Sequence, residues 1–248
     1  MRRFYIDKNQ VNRNEALLTG QDAKHLRDAL RLQSGDKVCL FDGTGHEYLS
    51  EITSISQDSV QLNILDHTYE SESPVRITLA QAFLKDKKMD TLVRQVSELG
   101  ISQWLPYQAA RSVAKPDNER LKARKERWIK IVKESLKQCG RSRLPEICDT
   151  VSFKDALSMV SHCDLKILFW EKSGTPLSEL SADVQAINKN CSSVCIFLGP
   201  EGGFEDKEVE MAKQNGFVTL SLGPRILKAD TASLAACALV QHLFGDME

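Results

Sequence analysis

The sequence predicts an α/β protein, in which a small N-terminal β-barrel is followed along the chain by a five- or six-stranded parallel sheet. In the stretch 193–232, an apolar run, a glycine-rich turn and a helix start occur twice in succession. From Ile77 onward, apolar runs alternate with helical patterns, which is the order typical of a parallel sheet. Residues 1–65 differ, because they contain mostly short strand patterns separated by Gly, Asp and Ser turns.

The barrel is predicted from three strand patterns in the N-terminal region. They lie at 38–41, at 47–52 and at 60–64. In the third pattern, apolar and polar residues alternate. The loop 42–45 contains two glycines and predicts a hairpin between the first two. Several short strands joined by such turns are typical of a small barrel.

The polar segment 66–74 ends in proline and predicts a linker between two domains. We therefore assign residues 1–70 to the N-terminal barrel and residues 74–248 to the α/β domain. In the second domain, a strand pattern at 77–84 precedes a helical pattern that ends at Gly100. This order begins the strand–helix alternation of the sheet.

The two glycine-rich turns, 199–203 and 223–230, are the candidate ligand site. Each follows a strand pattern, and ligands of open α/β sheets bind at the carboxyl ends of the strands. Glycine allows the backbone to approach a ligand closely, which suits a flat heteroaromatic group such as adenine. The alternative interpretation is that both turns simply connect a strand to a helix. Neither G-x-G-x-x-G after a strand nor G-x-x-x-x-G-K-[ST] occurs, so a dinucleotide or P-loop site is not indicated.

Charge is unevenly distributed along the chain. The formal net charge is −1, yet residues 111–143 hold 12 Lys and Arg against 4 Asp and Glu. Most of this block lies on a predicted helix at 118–139, and the loop 140–145 continues it. A basic helix face is commonly just solvated, but its continuation into a loop favours contact with a nucleic acid.

Composition excludes other classes of protein. The seven cysteines contain no C-x-x-C pair, which predicts free thiols in a reducing compartment. The five histidines form no cluster with metal-ligand spacing, so no metal is expected. The N-terminus has no long apolar segment, so we expect no signal peptide and no membrane span, and a cytoplasmic location.

Segments 198–204 and 222–232 resemble the S-adenosylmethionine site of the SPOUT methyltransferases. Within that superfamily they are most similar to the RsmE family, which methylates N3 of a uridine in 16S ribosomal RNA. Lys228 and Asp230 replace the arginine and glutamate usual there, and both keep the charge. The resemblance implies binding through residues of the two turns: Leu198, Gly199, Pro200, Glu201, Gly202, Gly203, Leu222, Gly223, Arg225, Ile226, Leu227 and Thr231.

The resemblance also implies the fold and the partners. It predicts a PUA-like RNA-binding barrel at the N-terminus and a SPOUT-type sheet with a deep trefoil knot, although general topology rules treat knots as nearly absent. The implied partners are 16S rRNA of the small ribosomal subunit and a second copy of the chain in a homodimer. The residues proposed to contact RNA are Arg2, Arg3, Lys85, Lys87, Lys122, Lys130 and Arg143.

Methylation at N3 of uracil predicts a cationic catalytic group. The base must be unpaired or flipped, and its anion must be stabilised as the N3 proton leaves. Arg141, Arg111 and Arg225 are the candidates, with Arg143 as a further one. Two other functions remain open, a SPOUT enzyme acting on a ribose 2′-hydroxyl or another base, and a non-catalytic RNA-binding assembly factor.

Overall fold

The computed structural model describes residues 1–85, 88–113, 116–172, 175–177 and 191–247. The chain divides into two compact units. The first comprises residues 1–72 together with 133–144, and the second comprises residues 73–132 together with 145–248.

The first unit contains a six-stranded sheet and a short α-helix, together with residues 133–139 of a longer helix. Its strands are β1 (Arg2–Tyr5), β2 (Val11–Asn12), β3 (Glu15–Thr19), β4 (Lys37–Phe41), β5 (His46–Ile55) and β6 (Ser59–Tyr69), in the spatial order β1-β4-β5-β6-β3-β2. Helix α1 (Gly20–Lys24) continues into a π-helical turn, His25–Ala29. Phe4, Leu26 and Leu40 belong to the core beneath the sheet. Within residues 1–72 no ladder joins β1 to β2, so closure into a barrel stays a prediction.

The second unit contains a parallel sheet. Its strands are β7 (Arg76–Ala82), β8 (Gln103–Gln108), β9 (Glu146–Ile147), β10 (Val151–Ser152), β11 (Leu165–Phe169), β12 (Ser193–Leu198) and β13 (Val218–Leu220). Their order is β10-β8-β7-β12-β11-β13, with β9 also paired to β8. The described residues thus form seven strands rather than the predicted five or six. The difference lies in β9 and β10, whose two residues each are too few to give a pattern.

The order of the two glycine turns along the chain predicts that they follow neighbouring strands, and this prediction is wrong. Strand β11 lies between β12 and β13, and Phe169 is in register with Leu198 on one side and Leu220 on the other. Parallel strands are joined by crossover connections, so their order along the chain does not determine their order in the sheet. The carboxyl ends of three strands therefore meet where two were expected.

Five further helices belong to the described part of the chain. They are α2 (Lys88–Glu98), α3 (Asn118–Cys139), α4 (Phe153–Met159), α5 (Asp206–Gln214) and α6 (Ala229–Phe244). The predicted bounds of α3 are confirmed. Helix α5 begins with a capping box between Glu205 and Glu208, in which the side chain of each residue accepts a hydrogen bond from the backbone N–H of the other. The polar pattern at 176–188 predicts a loop and a helix, and this segment falls almost entirely outside the described residues.

The core of the second unit fixes the ends of the strands. Leu79, Leu105, Ile167 and Ile196 are fully buried, as expected for strands covered on both faces. The Phe197 ring packs on Tyr107 at a centroid distance of 5.3 Å. Close packing of this kind holds the adjoining turns in place.

Across the described ranges, the structure contains no helix that is both long and apolar enough to cross a bilayer.

Candidate active site

A cavity of about 560 Å³ opens at the carboxyl ends of β11, β12 and β13. Three segments form most of its wall: 169–171, 198–204 and 221–229. Lys88 and Ala232 complete it. Its volume lies in the range of sites that hold a cofactor-sized molecule, and its place is where open α/β sheets bind ligands.

The cavity brings together most of the residues predicted to bind a cofactor. Those that line it are Leu198, Gly199, Pro200, Glu201, Gly202, Gly203, Leu222, Gly223, Arg225, Ile226 and Leu227. Thr231 does not line it and is exposed in the first turn of α6. The direct role of these residues in binding stays a prediction.

Two buried side chains of the sheet position the first glycine turn through hydrogen bonds. The Tyr107 hydroxyl donates to the carbonyl oxygen of Leu198 at 2.9 Å, and Gln81 Nε2 donates to that of Gly199 at 3.4 Å. Burial raises the pKa of Tyr107 well above its usual value, so its hydroxyl remains a donor. The Ser233 hydroxyl donates in turn to Gln81 Oε1 at 2.5 Å. The turn is thereby joined to β7, β8 and α6.

Gly203 occupies a position that only glycine fits well. Its φ is +68°, in the left-handed region that side chains disfavour. An added Cβ would also stand 2.8 Å from Glu171 Oε1, closer than a carbon and an oxygen normally approach. The positive φ is therefore the main reason for glycine here, and an added Cβ would in addition displace the exposed Glu171 carboxylate.

Lys88 connects the two turns by ion pairs. Its Nζ lies 3.2 Å from Glu201 Oε1 and 3.5 Å from Asp230 Oδ1. The hydrogen bond to Glu201 raises the pKa of Lys88. Burial alone would raise the pKa of Glu201, but the hydrogen bonds that it accepts from the Lys85 amide and from Lys88 hold that pKa below its usual value. Glu201 and Lys88 are thus kept oppositely charged.

The three candidate catalytic arginines have different surroundings. Arg225 lines the cavity, and within the described residues its side chain has no hydrogen bond or ion pair. Arg111 Nη1 donates to the carbonyl oxygen of Gly202 at 3.1 Å, so this arginine supports the first turn.

Arg141 belongs to the first compact unit and does not line the cavity. Its Nε lies 3.3 Å from Glu72 Oε1, and its Nη2 is paired with the other oxygen of that carboxylate. The Arg141 guanidinium is thus already paired with the Glu72 carboxylate. Its catalytic role stays a prediction.

The candidate RNA-contacting residues are mostly exposed. Arg2, Lys85, Lys122, Lys130 and Arg143 are accessible, and Lys87 lies outside the described residues.

Arg3 is different, because its Nη2 lies 2.6 Å from Glu47 Oε1 and donates to Ser142 Oγ at 2.9 Å. These contacts give Arg3 a structural role within the first unit. Contact of Arg3 with RNA stays a prediction.

Sequence reasoning missed five residues of the cavity wall that lie outside the segments 198–204 and 222–232, namely Lys88, Ser221, Phe169, Trp170 and Glu171. A signal for the last three was present, because the apolar pattern at 165–170 predicts a strand that includes Phe169 and Trp170, and Glu171 follows it directly. The described part of the chain contains no group of three or more His, Cys, Asp or Glu residues that could hold a metal ion.

Comparison with known proteins finds two families along the chain. The family described as "RNA methyltransferase domain" matches residues 71–241, and the family described as "RNA methyltransferase PUA domain" matches residues 18–65. The first match includes every residue that lines the cavity.

Relatives of similar length carry one name. Ribosomal RNA small subunit methyltransferase E of Bacillus subtilis (strain 168) is 34% identical over 98% of this chain and 96% of its own. Ribosomal RNA small subunit methyltransferase E 2 of Borreliella burgdorferi is 30% identical over 99% of both chains. The crystal structure of ribosomal RNA small subunit methyltransferase E from Neisseria gonorrhoeae bound to S-adenosyl methionine has a TM-score of 0.88 and 28% identity, with 100% of both chains covered. The chain therefore belongs to the RNA methyltransferase family and, within it, to the ribosomal RNA small subunit methyltransferase E proteins.

Proposed function

We propose that this protein transfers the methyl group of S-adenosylmethionine to N3 of a specific uridine in 16S rRNA. The observation that carries this function is the cavity between the two glycine turns, which coincides with the segments that resemble the S-adenosylmethionine site. The relative from Neisseria gonorrhoeae, solved with that cofactor, supports the assignment. A ribosomal RNA substrate is also the basis for placing the enzyme in the cytoplasm.

The cavity fits S-adenosylmethionine in size and in the chemistry of its wall. Its volume of about 560 Å³ suits a cofactor of this class, and glycines at positions 199, 202, 203 and 223 keep backbone groups accessible. Tyr107 and Gln81 already bind the carbonyl oxygens of Leu198 and Gly199. The turn is therefore fixed before a ligand arrives, which lowers the entropic cost of binding.

The chemistry requires positioning more than proton transfer by an acid or a base. Bound S-adenosylmethionine supplies an electrophilic methyl group on a sulfonium. The chain must hold the uracil so that N3 faces this group at roughly 3 to 3.5 Å, with water excluded. The N3 proton passes to solvent water as the base enters the cavity. Arg225 stabilises the resulting uracil anion, since it is the candidate arginine in the cavity wall that lacks a protein partner among the described residues.

Mapping the modified nucleotide by mass spectrometry tests the function. Unmodified 16S rRNA and small subunits are incubated with the protein and S-adenosylmethionine, and N3-methyluridine at a single position is expected. A methyl group on a ribose 2′-hydroxyl or on another base would identify a different SPOUT activity. Cofactor binding without any transfer would favour a non-catalytic assembly factor.

Tyr107→Phe is expected to lower both the stability of the protein and its affinity for the cofactor. The substitution removes one hydroxyl and leaves the buried carbonyl oxygen of Leu198 without its donor. Such a loss costs about 1–3 kcal/mol of unfolding free energy. Denaturant unfolding and calorimetry with S-adenosylmethionine measure the two effects. Wild-type values in both would show that the bond does not position the turn.

The basic block 111–143 is expected to make RNA binding strongly salt-dependent. Each neutralised phosphate releases counterions and contributes about 0.9 to the slope of log affinity against log salt. Lys122→Glu with Lys130→Glu should reduce both RNA affinity and this slope, while cofactor affinity stays unchanged. Lys154→Glu, an exposed lysine outside the block, is the matched control. An unchanged slope in the double variant would remove α3 from the RNA-binding surface.

The protein is proposed to act as a homodimer, as the resemblance implies. Ile226 in the second glycine turn is 85% exposed, and Leu239 on α6 is 40% exposed. Single exposed apolar side chains are normal on a monomer, so these two leave room for a partner while the resemblance supports the proposal. Light scattering at micromolar concentration should report a dimer, and a fully active monomer would contradict the proposal.

Three further features of the fold are proposed on the resemblance. They are a deep trefoil knot in the α/β domain, closure of the N-terminal sheet into a PUA-like barrel, and domain boundaries at 1–70 and 74–248. The match of residues 18–65 to a PUA family supports the barrel.

A further inference from the structure

Four aromatic rings lie together at one end of the β5–β6 ladder in the first unit. His46 is in register with Tyr69, and Tyr48 with His67. The rings of Tyr48 and His67 are stacked with centroids 4.9 Å apart, and those of His46 and Tyr69 meet edge to face at 5.1 Å. His46 Nδ1 and His67 Nε2 are 2.8 Å apart and share a hydrogen bond. We call these four residues the ring cluster.

The ring cluster extends from the hydrophobic core to the protein surface. Tyr48 is buried in the core of the first unit, and its hydroxyl donates to Asp42 Oδ2 at 3.3 Å. His67 is exposed, and Tyr69 is 58% exposed. A β-bulge between Leu49 and Ser50 separates this end of the ladder from the rest of the sheet. Bulges of this kind redirect side chains near functional sites.

The surroundings of the ring cluster are rigid and positively charged at one edge. Backbone hydrogen bonds from Gly45 to Ser142 and from Leu144 to Gly43 tie the loop 142–144 to the β4–β5 turn. Arg143, in that loop, donates from Nη2 to the Tyr69 hydroxyl at 2.7 Å. Its guanidinium is thereby fixed beside an exposed ring.

The charge distribution of β6 favours an anionic ligand on this side. Successive residues of a strand point to opposite faces, so Asp66 is directed away from the face that carries His67 and Tyr69. Exposed rings next to a fixed guanidinium are the combination that binds single-stranded nucleic acid. The rings stack on bases, and the cation pairs with the backbone.

We propose that the ring cluster binds an unpaired nucleobase of the substrate RNA, which stacks on Tyr69 beside His67 while Arg143 contacts the adjoining phosphate. This inference rests on the proposed function for its ligand, an RNA. It adds a subsite that lies on the N-terminal unit and holds a nucleotide other than the one that is methylated. The residues of this unit proposed earlier to contact RNA, Arg2, Arg3 and Arg143, are all cations, whereas this subsite is chiefly aromatic.

The test is RNA binding by Tyr69→Ala and His67→Ala, measured with 16S rRNA transcribed in vitro. Each loss of a stacked ring should weaken binding about tenfold, with the salt slope unchanged. Tyr69→Phe keeps the ring and should recover most of the affinity lost in Tyr69→Ala. Arg143→Ala should reduce the salt slope by about one. Thr68→Ala, on the opposite face of the same strand, should bind as the wild type does.

A second measurement makes the result independent of folding defects in the variants. The wild-type protein is irradiated with 16S rRNA that contains 4-thiouridine, and the crosslinked residue is identified by mass spectrometry. A crosslink at Tyr69 or His67 is expected. Wild-type affinity in both alanine variants, or crosslinks found only elsewhere, would overturn the inference.

Failure of this inference differs from failure of the proposed function. If the wild type methylates uridine N3 while Tyr69→Ala binds RNA normally, only the ring cluster is excluded. If the wild type transfers no methyl group but crosslinks through Tyr69, the subsite is supported and the proposed reaction is wrong.

Discussion

Gly203→Val is expected to lower the affinity for S-adenosylmethionine at least 100-fold, which corresponds to about 2.7 kcal/mol. Gly203 has a φ of +68°, and a non-glycine residue in the left-handed region costs about 1–2 kcal/mol, more when it is β-branched. Its Cβ would also stand 2.8 Å from Glu171 Oε1, and both residues line the cavity. The turn must therefore move, or Glu171 must, and either change alters the site.

Two glycine variants control this experiment. Gly35→Val places the same side chain at a φ of +95° in the first unit, where an added Cβ has no neighbour within 4 Å, so cofactor affinity should not change. Gly202→Ala adds a Cβ 3.3 Å from that of Arg111 without a left-handed φ, so a smaller loss is expected. Calorimetry measures all three. Wild-type affinity in Gly203→Val would exclude the turn from the cofactor site.

Arg225→Ala is expected to reduce kcat on the order of 100-fold or more, with smaller changes in KM for RNA. Removal of a charged donor aimed at a developing anion has an effect of this size when the donor acts in the transition state. Arg225→Lys keeps the charge but not the planar fork, so partial recovery is expected. Cofactor affinity must be measured separately, because Arg225 also lines the cavity.

Arg141→Ala provides the comparison for Arg225. Its guanidinium and the Glu72 carboxylate form an ion pair whose side chains are 14% and 22% exposed. Loss of one partner from such a pair destabilises a protein by about 3 kcal/mol. Glu72→Gln removes one charge but leaves the arginine. If both variants lose stability and keep kcat, Arg141 is structural. If Arg141→Ala alone loses kcat, the catalytic role belongs to Arg141 instead of Arg225.

Features set by neighbouring residues could be predicted from the sequence. The bounds of α3 follow from its apolar stripe, and the start of α5 follows from acidic residues after a glycine turn, where Glu205 and Glu208 form the capping box. Both turns of the candidate site were also found, because Gly and Pro after an apolar run mark a break locally.

Features set by distant residues could not be predicted. The place of β11 between β12 and β13 depends on how the crossovers pack, which no local pattern contains. Arg3 pairs with Glu47, which is 44 residues away in sequence, and Arg141 pairs with Glu72, which is 69 residues away. The sequence therefore could not show which arginines are exposed and which belong to a buried ion pair. Trp170 and Glu171 were within reach, because Trp170 ends the strand predicted at 165–170 and Glu171 directly follows it.

The contact between Ser233 and Gln81 has a consequence for how this protein can change during evolution. Both side chains are fully buried, and the hydroxyl of one satisfies the amide of the other across 152 residues of sequence. An apolar residue at position 233 alone would leave the buried amide oxygen of Gln81 without its donor, which costs free energy. An apolar residue at position 81 alone would leave the Ser233 hydroxyl bonded to the carbonyl oxygen of Ala229 at 2.8 Å. Position 233 should therefore tolerate an apolar residue best after position 81 has become apolar. A change at position 81 would also remove the hydrogen bond to Gly199, so selection on the cofactor turn would act against it.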